Sequence, residues 1–182
     1  MPLVFSLLKT NKQKMNKLYK LLIIALLLIM GGNTLKAQRV GDTFSKTYNE
    51  GEETAYTLTF KITQLDPPEC AITKGTNPSD STSLEIPSTI DGYDVTIIGA
   101  WAFSQCNKFT GDLVIPNTVK TIEKFAFEWC YGFNGTLKLS DSLTYIGESA
   151  FADDYKLKGT LTIPDKVEYI GGSAFISCGG FT

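Results

Sequence analysis

The sequence predicts a mainly β solenoid that stacks four rungs of 24 residues behind an N-terminal β-hairpin cap. Two observations predict this fold class. The dipeptide Ala-Phe recurs at a constant step of 24 residues, at Ala102, Ala126, Ala150 and Ala174. The segments 135–158 and 159–182 also agree at ten of 24 aligned positions. Self-similarity at a fixed period indicates a repeat architecture, in which each unit stacks on the next.

The repeat region divides into four rungs, which are residues 82–110, 111–134, 135–158 and 159–182. The first rung carries five extra residues between Pro87 and Ile98. We place this insertion in a loop around Asp91-Gly92-Tyr93, because that triplet is typical of a turn.

Each rung is predicted to contain one short strand that pairs in parallel with the strands of its neighbours. In "TLTIP" (160–164), Leu161 and Ile163 face the interior while Thr160 and Thr162 face outward, and Pro164 ends the strand. Further interior positions follow, and in the second rung they are Val119, Ile122, Ala126, Phe127, Cys130 and Phe133.

A single rung is not expected to fold alone. Ordering the chain costs about 1.5 kcal/mol for every residue of the rung. Burial contributes about 1.5–3 kcal/mol, but only for each large apolar side chain that reaches the interior. Stacked rungs share their buried walls, so stability requires neighbours. Since the closing segment "SAFISCGGFT" (173–182) is largely apolar, we expect the chain to be truncated at its C-terminus, with further repeats beyond Thr182.

Residues 1–37 are predicted to be a signal peptide that is cleaved after Ala37. Lys17 and Lys20 precede the apolar run Leu21–Met30, which is the layout of a secretory signal. The alternative is a transmembrane anchor, but an anchor needs about 20 apolar residues. We therefore expect a secreted or cell-surface protein, with no membrane span after signal cleavage.

Residues 38–81 are predicted to form an N-terminal lead-in and a β cap. The segments 55–63 and 69–75 alternate as strands around Asp66-Pro67-Pro68, a hairpin-like connection. We expect this hairpin to pair along the free edge of the first rung. The preceding segment 38–54 is rich in Gly, Asp, Glu and Ser and is expected to be a mobile lead-in.

The charge balance argues against nucleic acid as a partner. The first 37 residues contain six of the 17 basic residues and no acid, so their removal leaves 11 basic against 19 acidic residues and a net charge of -8. Such a surface lacks the basic stripe that binds phosphate backbones. The same argument applies to anionic membrane surfaces.

The rung pattern resembles a known repeat family. Residues Leu113–Phe133 read L-x-I-P-x-x-V-x-x-I-x-x-x-A-F-x-x-C-x-x-F, which is similar to the BspA-type leucine-rich repeat of bacterial secreted and surface proteins. The resemblance covers residues 82–182. The third rung departs from it, because Leu139-Ser140 replaces Ile-Pro and Asp154 replaces the cysteine. The resemblance implies a leucine-rich-repeat solenoid that acts by binding, as an adhesin toward host matrix proteins or other cells, without a catalytic motif or a cofactor.

Two surfaces are candidates for binding a protein or glycan on another cell or in the host matrix. The first is the outward face of the predicted strands, formed by Ser83, Glu85, Asp112, Val114, Thr136, Lys138, Thr160 and Thr162. The second is an aromatic patch, formed by Trp101, Phe125, Trp129, Tyr131 and Tyr155, for which packing over a turn is the alternative. A sheet face of this size is small beside the ~800 Å² that each partner contributes to a standard interface.

Two other functions are also compatible with the sequence. The chain could be a structural spacer, or a fragment of a longer array, with no ligand of its own. It could also be a carbohydrate-active enzyme, because Glu123 stands where the other rungs have glycine, and Glu128 lies near it. Paired carboxylates about 5–9.5 Å apart can hydrolyse glycosides, but isolated surface acids are usually only solvated, so we assign no catalytic residues.

Repeated polar positions raise the question of disulfides and metals. Cys106, Cys130 and Cys178 share one ladder position, so a Cys106–Cys130 disulfide is geometrically possible. A position that favours a small buried side chain explains the same pattern. Carboxylates and amides that could bind calcium also fall in register or nearby, namely Asn117, Asp141, Asp153, Asp154 and Asp165. Turn formation is the simpler explanation for Asn117, Asp141 and Asp165, and no metal is assigned.

Overall fold

The computed structural model describes residues 38–182, so the predicted signal peptide lies outside the described part of the chain. Ten strands run in chain order: β1 (Thr43–Tyr48), β2 (Tyr56–Leu65), β3 (Pro68–Gly75), β4 (Thr89–Ile90), β5 (Tyr93–Ile98), β6 (Leu113–Val114), β7 (Thr121–Ile122), β8 (Leu137–Lys138), β9 (Tyr145–Ile146) and β10 (Tyr169–Ile170). Between residues 38 and 182, no helix has the length and apolar character needed to cross a membrane.

One long sheet joins the cap to the repeats. Its strand order is β1-β2-β3-β5-β7-β9-β10, with β4 added beside β5. The pairs β1–β2 and β2–β3 are antiparallel, whereas every later pair along the path is parallel. The repeat register carries Ile98 onto Ile122, then Ile146, then Ile170. The predicted mainly β solenoid with a 24-residue spacing is therefore confirmed.

The strand assignment within a rung differs from the prediction. The segment around "TLTIP" pairs as the two-stranded sheet β6–β8 in the second and third rungs, but residues 160–164 of the last rung form no strand. The long sheet instead runs through β7, β9 and β10, for which the sequence pattern indicated only interior positions. The reason is that cap strand β3 pairs with β5, and β7, β9 and β10 then extend the same sheet one strand at a time.

The cap contains one strand more than the sequence predicts. The hairpin β2–β3 forms as expected and pairs with the first rung through β3 and β5. Thr43–Tyr48, placed in a mobile lead-in, instead forms β1 against β2. The hydroxyls of Ser45 and Thr59 lie 3.0 Å apart, and Phe44 stacks on Phe60 with ring centroids 5.3 Å apart. Polar residues face solvent along one side of β1, which explains why its composition resembled that of a loop.

The insertion of the first rung is a hairpin. Strands β4 and β5 pair antiparallel, and the two residues between them, Asp91 and Gly92, have φ of 48° and 82°. Positive φ at both central residues is the requirement of the tight turn that matches strand twist. The insertion thus lies where the turn signal indicated.

A file of phenylalanine rings runs through the centre of the repeats. Phe103, Phe127, Phe151 and Phe175 stack with successive centroid separations of 5.0, 5.3 and 5.2 Å. Backbone hydrogen bonds follow the same step, since Phe127 N–H donates to the Ala150 carbonyl and Phe151 N–H to the Ala174 carbonyl, each at 2.8 Å. The four Ala-Phe pairs therefore occupy equivalent places in one continuous core.

Candidate binding surfaces

All eight residues of the predicted strand face are exposed. Asp112 and Thr136 interact across the two middle rungs, because the Thr136 amide and hydroxyl donate to Asp112 Oδ1 at 2.6 and 2.9 Å. These hydrogen bonds lower the pKa of Asp112. Val114 is 48% exposed, so it adds apolar surface to an otherwise polar face. The face is accessible to solvent. Only its residues in the second and third rungs lie on or beside paired strands, β6 and β8, because the equivalent segments of the first and last rungs form no strand.

The predicted aromatic patch separates into two stacks. Trp101 lies on Phe125 with centroids 4.1 Å apart, while Tyr131 lies on Tyr155 at 5.9 Å. The Lys156 ammonium lies 5.9 Å from both tyrosine centroids, within the range of a cation–π interaction. Trp101 and Tyr155 are each 52% exposed, so both stacks present apolar surface to solvent.

Backbone geometry explains where these rings sit. Trp101 and Phe125 have φ of 61° and 58°, and Ser149 and Ser173 continue the same column with φ of 50° and 59°. Trp129, with φ of 60°, belongs to a second such column and donates from Nε1 to Asp153 Oδ2 at 2.8 Å. Left-handed backbone is costly for bulky residues. The turn explains why Trp101, Phe125 and Trp129 lie where they do. It does not explain why these positions carry large aromatic side chains, because a left-handed turn favours smaller residues.

The two carboxylates considered for catalysis have different surroundings. Glu123 accepts a hydrogen bond at Oε2 from the Ala100 amide at 2.8 Å, so it links its rung to the preceding one. Burial raises the pKa of Glu128, and the neighbouring Asp153 adds to the shift.

Among the described residues, the four cysteines are free thiols, so the Cys106–Cys130 disulfide is not formed.

The cysteine ladder has a structural role. Cys130 Sγ donates to the Phe103 carbonyl and Cys178 Sγ to the Phe151 carbonyl, each at 2.9 Å. Burial raises the pKa of the Cys178 thiol to about 11, which keeps it protonated as a donor. Each of these two thiols thus adds a hydrogen bond to a carbonyl of the preceding rung, a role that suits a small side chain at this position.

Asp154 occupies the same ladder position in the third rung. It is fully buried, and neither carboxyl oxygen reaches a hydrogen-bond partner. Burial raises the pKa of Asp154 to about 8, and the negative charge of Asp153 adds to this shift. The nearby Cys130 backbone opposes the shift, although its distance or angle does not meet the criteria for a hydrogen bond. A protonated carboxyl group is therefore the form that fits this place at neutral pH.

The oxygen groups considered for calcium are not gathered into one site. Asn117 Nδ2 donates to Asp141 Oδ2 at 3.1 Å, and the Asp141 amide donates to Asn117 Oδ1 at 3.0 Å. Asp153 instead accepts from Trp129, and Asp154 is buried in the thiol ladder. In residues 38–182, no cluster of three or more potential metal-ligating side chains is present.

A groove on the outward side of the long sheet was not predicted from the sequence. The groove encloses about 580 Å³ and is lined by Ala100, Thr121, Glu123, Lys124, Tyr145, Glu148 and Tyr169. Tyr145 stacks on Tyr169 with centroids 4.9 Å apart, and these side chains are 39% and 52% exposed. The sequence does contain a signal for it, because the pair Tyr-Ile recurs at Tyr145–Ile146 and Tyr169–Ile170. These pairs were not predicted to be strands, so their tyrosines were not predicted to face outward.

Rungs with a 24-residue step, joined by one parallel sheet and centred on a file of phenylalanines, define a leucine-rich-repeat type of solenoid. Residues 76–182 match the family described as "BspA type Leucine rich repeat region (6 copies)". Because this match covers more than half of the chain, the protein belongs to the BspA-type leucine-rich repeat family. A search of curated proteins finds no match.

Two solved structures are similar to this chain. A leucine-rich repeat protein from Bacteroides capillosus is 33% identical, with a TM-score of 0.52; the match covers 68% of this chain and 86% of that one. A leucine-rich repeat protein of T. pallidum is 21% identical, with a TM-score of 0.51; the match covers 68% of this chain and 65% of that one. The first likeness supports the family, and the second supports the fold alone.

Proposed function

We propose that this chain is an exported bacterial interaction protein that binds a protein or glycan partner through its repeat faces. The observation that carries the proposal is the exposed stacking of Trp101 on Phe125, with Trp101 52% exposed. An indole ring on a strained turn contributes little to the core. Trp and Tyr are enriched among the residues that contribute most to binding energy.

The exposed rings provide a physical reason for association. Apolar surface that is removed from water contributes roughly 25 cal/mol per Å². Trp129, at 45% exposed, and Tyr131, at 37% exposed, extend the apolar surface along the repeats. A partner that covers this surface gains the apolar contribution without the cost of reorganising a rigid solenoid.

The alternative is a structural spacer with no ligand of its own. It is favoured by the internal contacts of the second stack, since Lys156 lies over Tyr131 and Tyr155. The Trp129–Asp153 hydrogen bond has the same implication. By contrast, no side-chain hydrogen bond or cation–π contact within residues 38–182 covers the Trp101–Phe125 stack, and for this reason we favour binding over a spacer role.

We also propose that the chain is not an enzyme. Glu123 is engaged by the Ala100 amide, which assigns it a positioning role between rungs. A glycosidase would need Glu123 and Glu128 to act on one bond together. Assaying hydrolysis of a panel of oligosaccharides, with Glu123→Gln as the matched variant, tests this; hydrolysis that Glu123→Gln abolishes would revive the carbohydrate-active alternative.

Binding is tested by screening the protein against matrix proteins and a glycan array, presented both singly and as multimers to gain avidity. We expect Trp101→Ala to weaken the binding of any ligand found by about tenfold or more, as expected for a residue of high binding energy. Val40→Ala is the control, because Val40 is a 61% exposed apolar residue of the cap region. Failure of the multimers to bind anything would favour the spacer.

Export is tested separately. The signal prediction concerns residues 1–37, so expression in a secreting bacterium should yield a mature chain that begins at Gln38. N-terminal sequencing of the product identifies the cleavage site. Retention of an intact N-terminus in the cytosolic fraction would contradict the export part of the proposal.

A further inference from the structure

The groove of the long sheet is lined by two small side chains, Ala100 and Thr121. The sheet register aligns Ile97, Thr121, Tyr145 and Tyr169 in one column. Thr121 is smaller than its neighbours in that column, and an opening of about 580 Å³ lies beside Tyr145. One wall of the groove is therefore a pair of stacked phenol rings.

The protein already contains a stacked tyrosine pair that lies close to a lysine side chain of the same chain. Tyr131 and Tyr155 stack at 5.9 Å with an interplanar angle of 16°, and the Lys156 ammonium lies 5.9 Å from each ring centroid. Tyr145 and Tyr169 repeat this arrangement at 4.9 Å and 11°. The electron-rich rings that attract Lys156 are thus duplicated at the groove.

The charges around the groove favour a cation. Glu123 and Glu148 line it together with a single basic residue, Lys124. Glu123 uses Oε2 to accept from the Ala100 amide, and a carboxylate has further acceptor capacity at its second oxygen. Glu148 is exposed. Two carboxylates beside aromatic rings are complementary to an ammonium or guanidinium group.

We propose that this groove binds a lysine or arginine side chain of a protein partner. The inference rests on the proposed binding function and specifies the chemistry of the partner. Glu123 and Glu148 provide the charge, and Tyr145 provides the ring surface. Lys124 lines the same groove and opposes the bound cation, so it limits affinity.

A neutral sugar could also stack on tyrosine rings, but it would respond differently to the charges. A cation gains from Glu148 and is repelled by Lys124, and both effects weaken as salt increases. A neutral glycan has no net charge for either group to attract or repel. The signs of the effects of charge variants therefore distinguish the two classes of ligand.

The experiment measures the binding of a fluorescent lysine homopeptide to the protein by anisotropy at low ionic strength. A neutral oligosaccharide and a glutamate homopeptide are measured in parallel. We expect Tyr145→Ala and Glu148→Gln to weaken binding of the lysine peptide by about tenfold. Lys124→Gln should strengthen it, and Tyr145→Phe should leave it nearly unchanged because the ring is retained.

The control is Glu50→Gln, which makes the same charge change at an exposed residue of the cap region. If Glu148→Gln weakens lysine-peptide binding no more than Glu50→Gln does, the attraction is nonspecific and the proposal fails. It also fails if the oligosaccharide binds in a Tyr145-dependent manner that is insensitive to Glu148 and Lys124. In that case the groove is a glycan site.

The outcomes separate this inference from the proposed function. Suppose that a screened partner loses affinity with Trp101→Ala but not with Tyr145→Ala or Glu148→Gln. The binding function then stands and the groove proposal is wrong. Conversely, lysine-peptide binding with the expected signs and no ligand in the screen would support the groove while leaving the wider adhesion proposal contradicted.

Discussion

The second rung (111–134) and the last rung (159–182) share one sequence pattern but differ in burial. Ile122 is fully buried, whereas Ile170 at the equivalent position is 45% exposed. Likewise Ile115 is 1% exposed and Ile163 is 36% exposed. The second rung has rungs on both sides, and the last rung contacts only the third within the described chain. The interior of a rung is therefore completed by its neighbour, not by its own residues.

The front of the array shows how an edge is covered. Strand β3 of the cap pairs with β5, and the Gly99 amide donates to the Ile72 carbonyl at 2.7 Å. Phe60 and Ile72 of the cap are fully buried. The cap thus covers the open side of the first rung, as each rung covers its neighbour, whereas the last rung has one side uncovered within the described chain.

The largest difference is expected for the phenylalanine file. Phe127 is fully buried between two stacked rings, whereas Phe175 is partly exposed and has one ring neighbour in the file. Phe127→Ala should lower the free energy of unfolding by about 3–5 kcal/mol, the usual cost of removing a buried aromatic. Phe175→Ala should cost clearly less. Equal losses in urea denaturation would show that the second and last rungs are covered alike.

Asp154 should make the third rung sensitive to pH. Its pKa is raised from 3.8 to about 8, so the native state retains a proton that the unfolded chain releases above about pH 4. Stability is therefore lost as pH rises from about 4 to about 8, by up to about 1.4 kcal/mol per pH unit. Asp154→Cys restores the ladder residue and should remove this slope.

The measurement is the free energy of unfolding from urea titrations across this pH range, taken as the difference between the two proteins. The groups facing the carboxyl are the thiols of Cys130 and Cys178 and the carboxylate of Asp153. Asp153→Asn leaves the buried carboxyl in place but removes a charge that helps to raise its pKa, so this variant should keep the slope over a somewhat narrower pH range. Parallel pH profiles for wild type and Asp154→Cys would contradict the assignment.

A pair of glycines tests the contact between rungs directly. A Cβ at Gly147 would overlap the backbone nitrogen of Lys124, whereas a Cβ at Gly172 meets nothing within 4 Å. Gly147→Ala should therefore cost about 1–3 kcal/mol, as expected for overpacking. Gly172→Ala should be nearly neutral in thermal melts. If Gly147→Ala is tolerated equally well, the rungs are less closely packed than the structure indicates.

The smallest effect is expected for a single methylene at the shared interior position. Ile122→Val should cost about 0.5–1.5 kcal/mol, the usual range for a buried site. Ile170→Val should cost less, because Ile170 is 45% exposed. The comparison requires replicate chemical denaturation with a shared slope, and a larger loss at Ile170 would reverse the proposed order of burial.

Much of the fold could be predicted because the repeat encodes it locally. The 24-residue step of Ala-Phe, the hairpin around Asp66-Pro67 and the turn at Asp91-Gly92 all have short sequence signatures. Strands of two residues, such as Tyr145–Ile146, are too short to show an alternation, so the long sheet was assigned to the wrong segment of the rung. Strand β1 was missed because its exposed hydroxyl residues resemble a loop.

The candidate surfaces depend on side-chain placement that the repeat does not encode. The sequence grouped Trp101, Phe125, Tyr131 and Tyr155 into one aromatic patch and did not divide them into two stacks. It did not predict that Lys156 covers the second stack. The groove at Tyr145 was not predicted for a related reason: it lies beside the small side chains of Ala100 and Thr121, and only the three-dimensional register brings these positions together.

Amide hydrogen exchange tests the central claim that a rung is completed by its neighbour. Glu123, Gly147 and Gly171 donate to the preceding rung through hydrogen bonds of the same length, 2.8 Å. If covering by the next rung determines stability, Gly171 should exchange at least about tenfold faster than Gly147, while Glu123 and Gly147 exchange at similar rates. Equal protection of all three amides would contradict the account, because it would show that each rung is stable without a following neighbour.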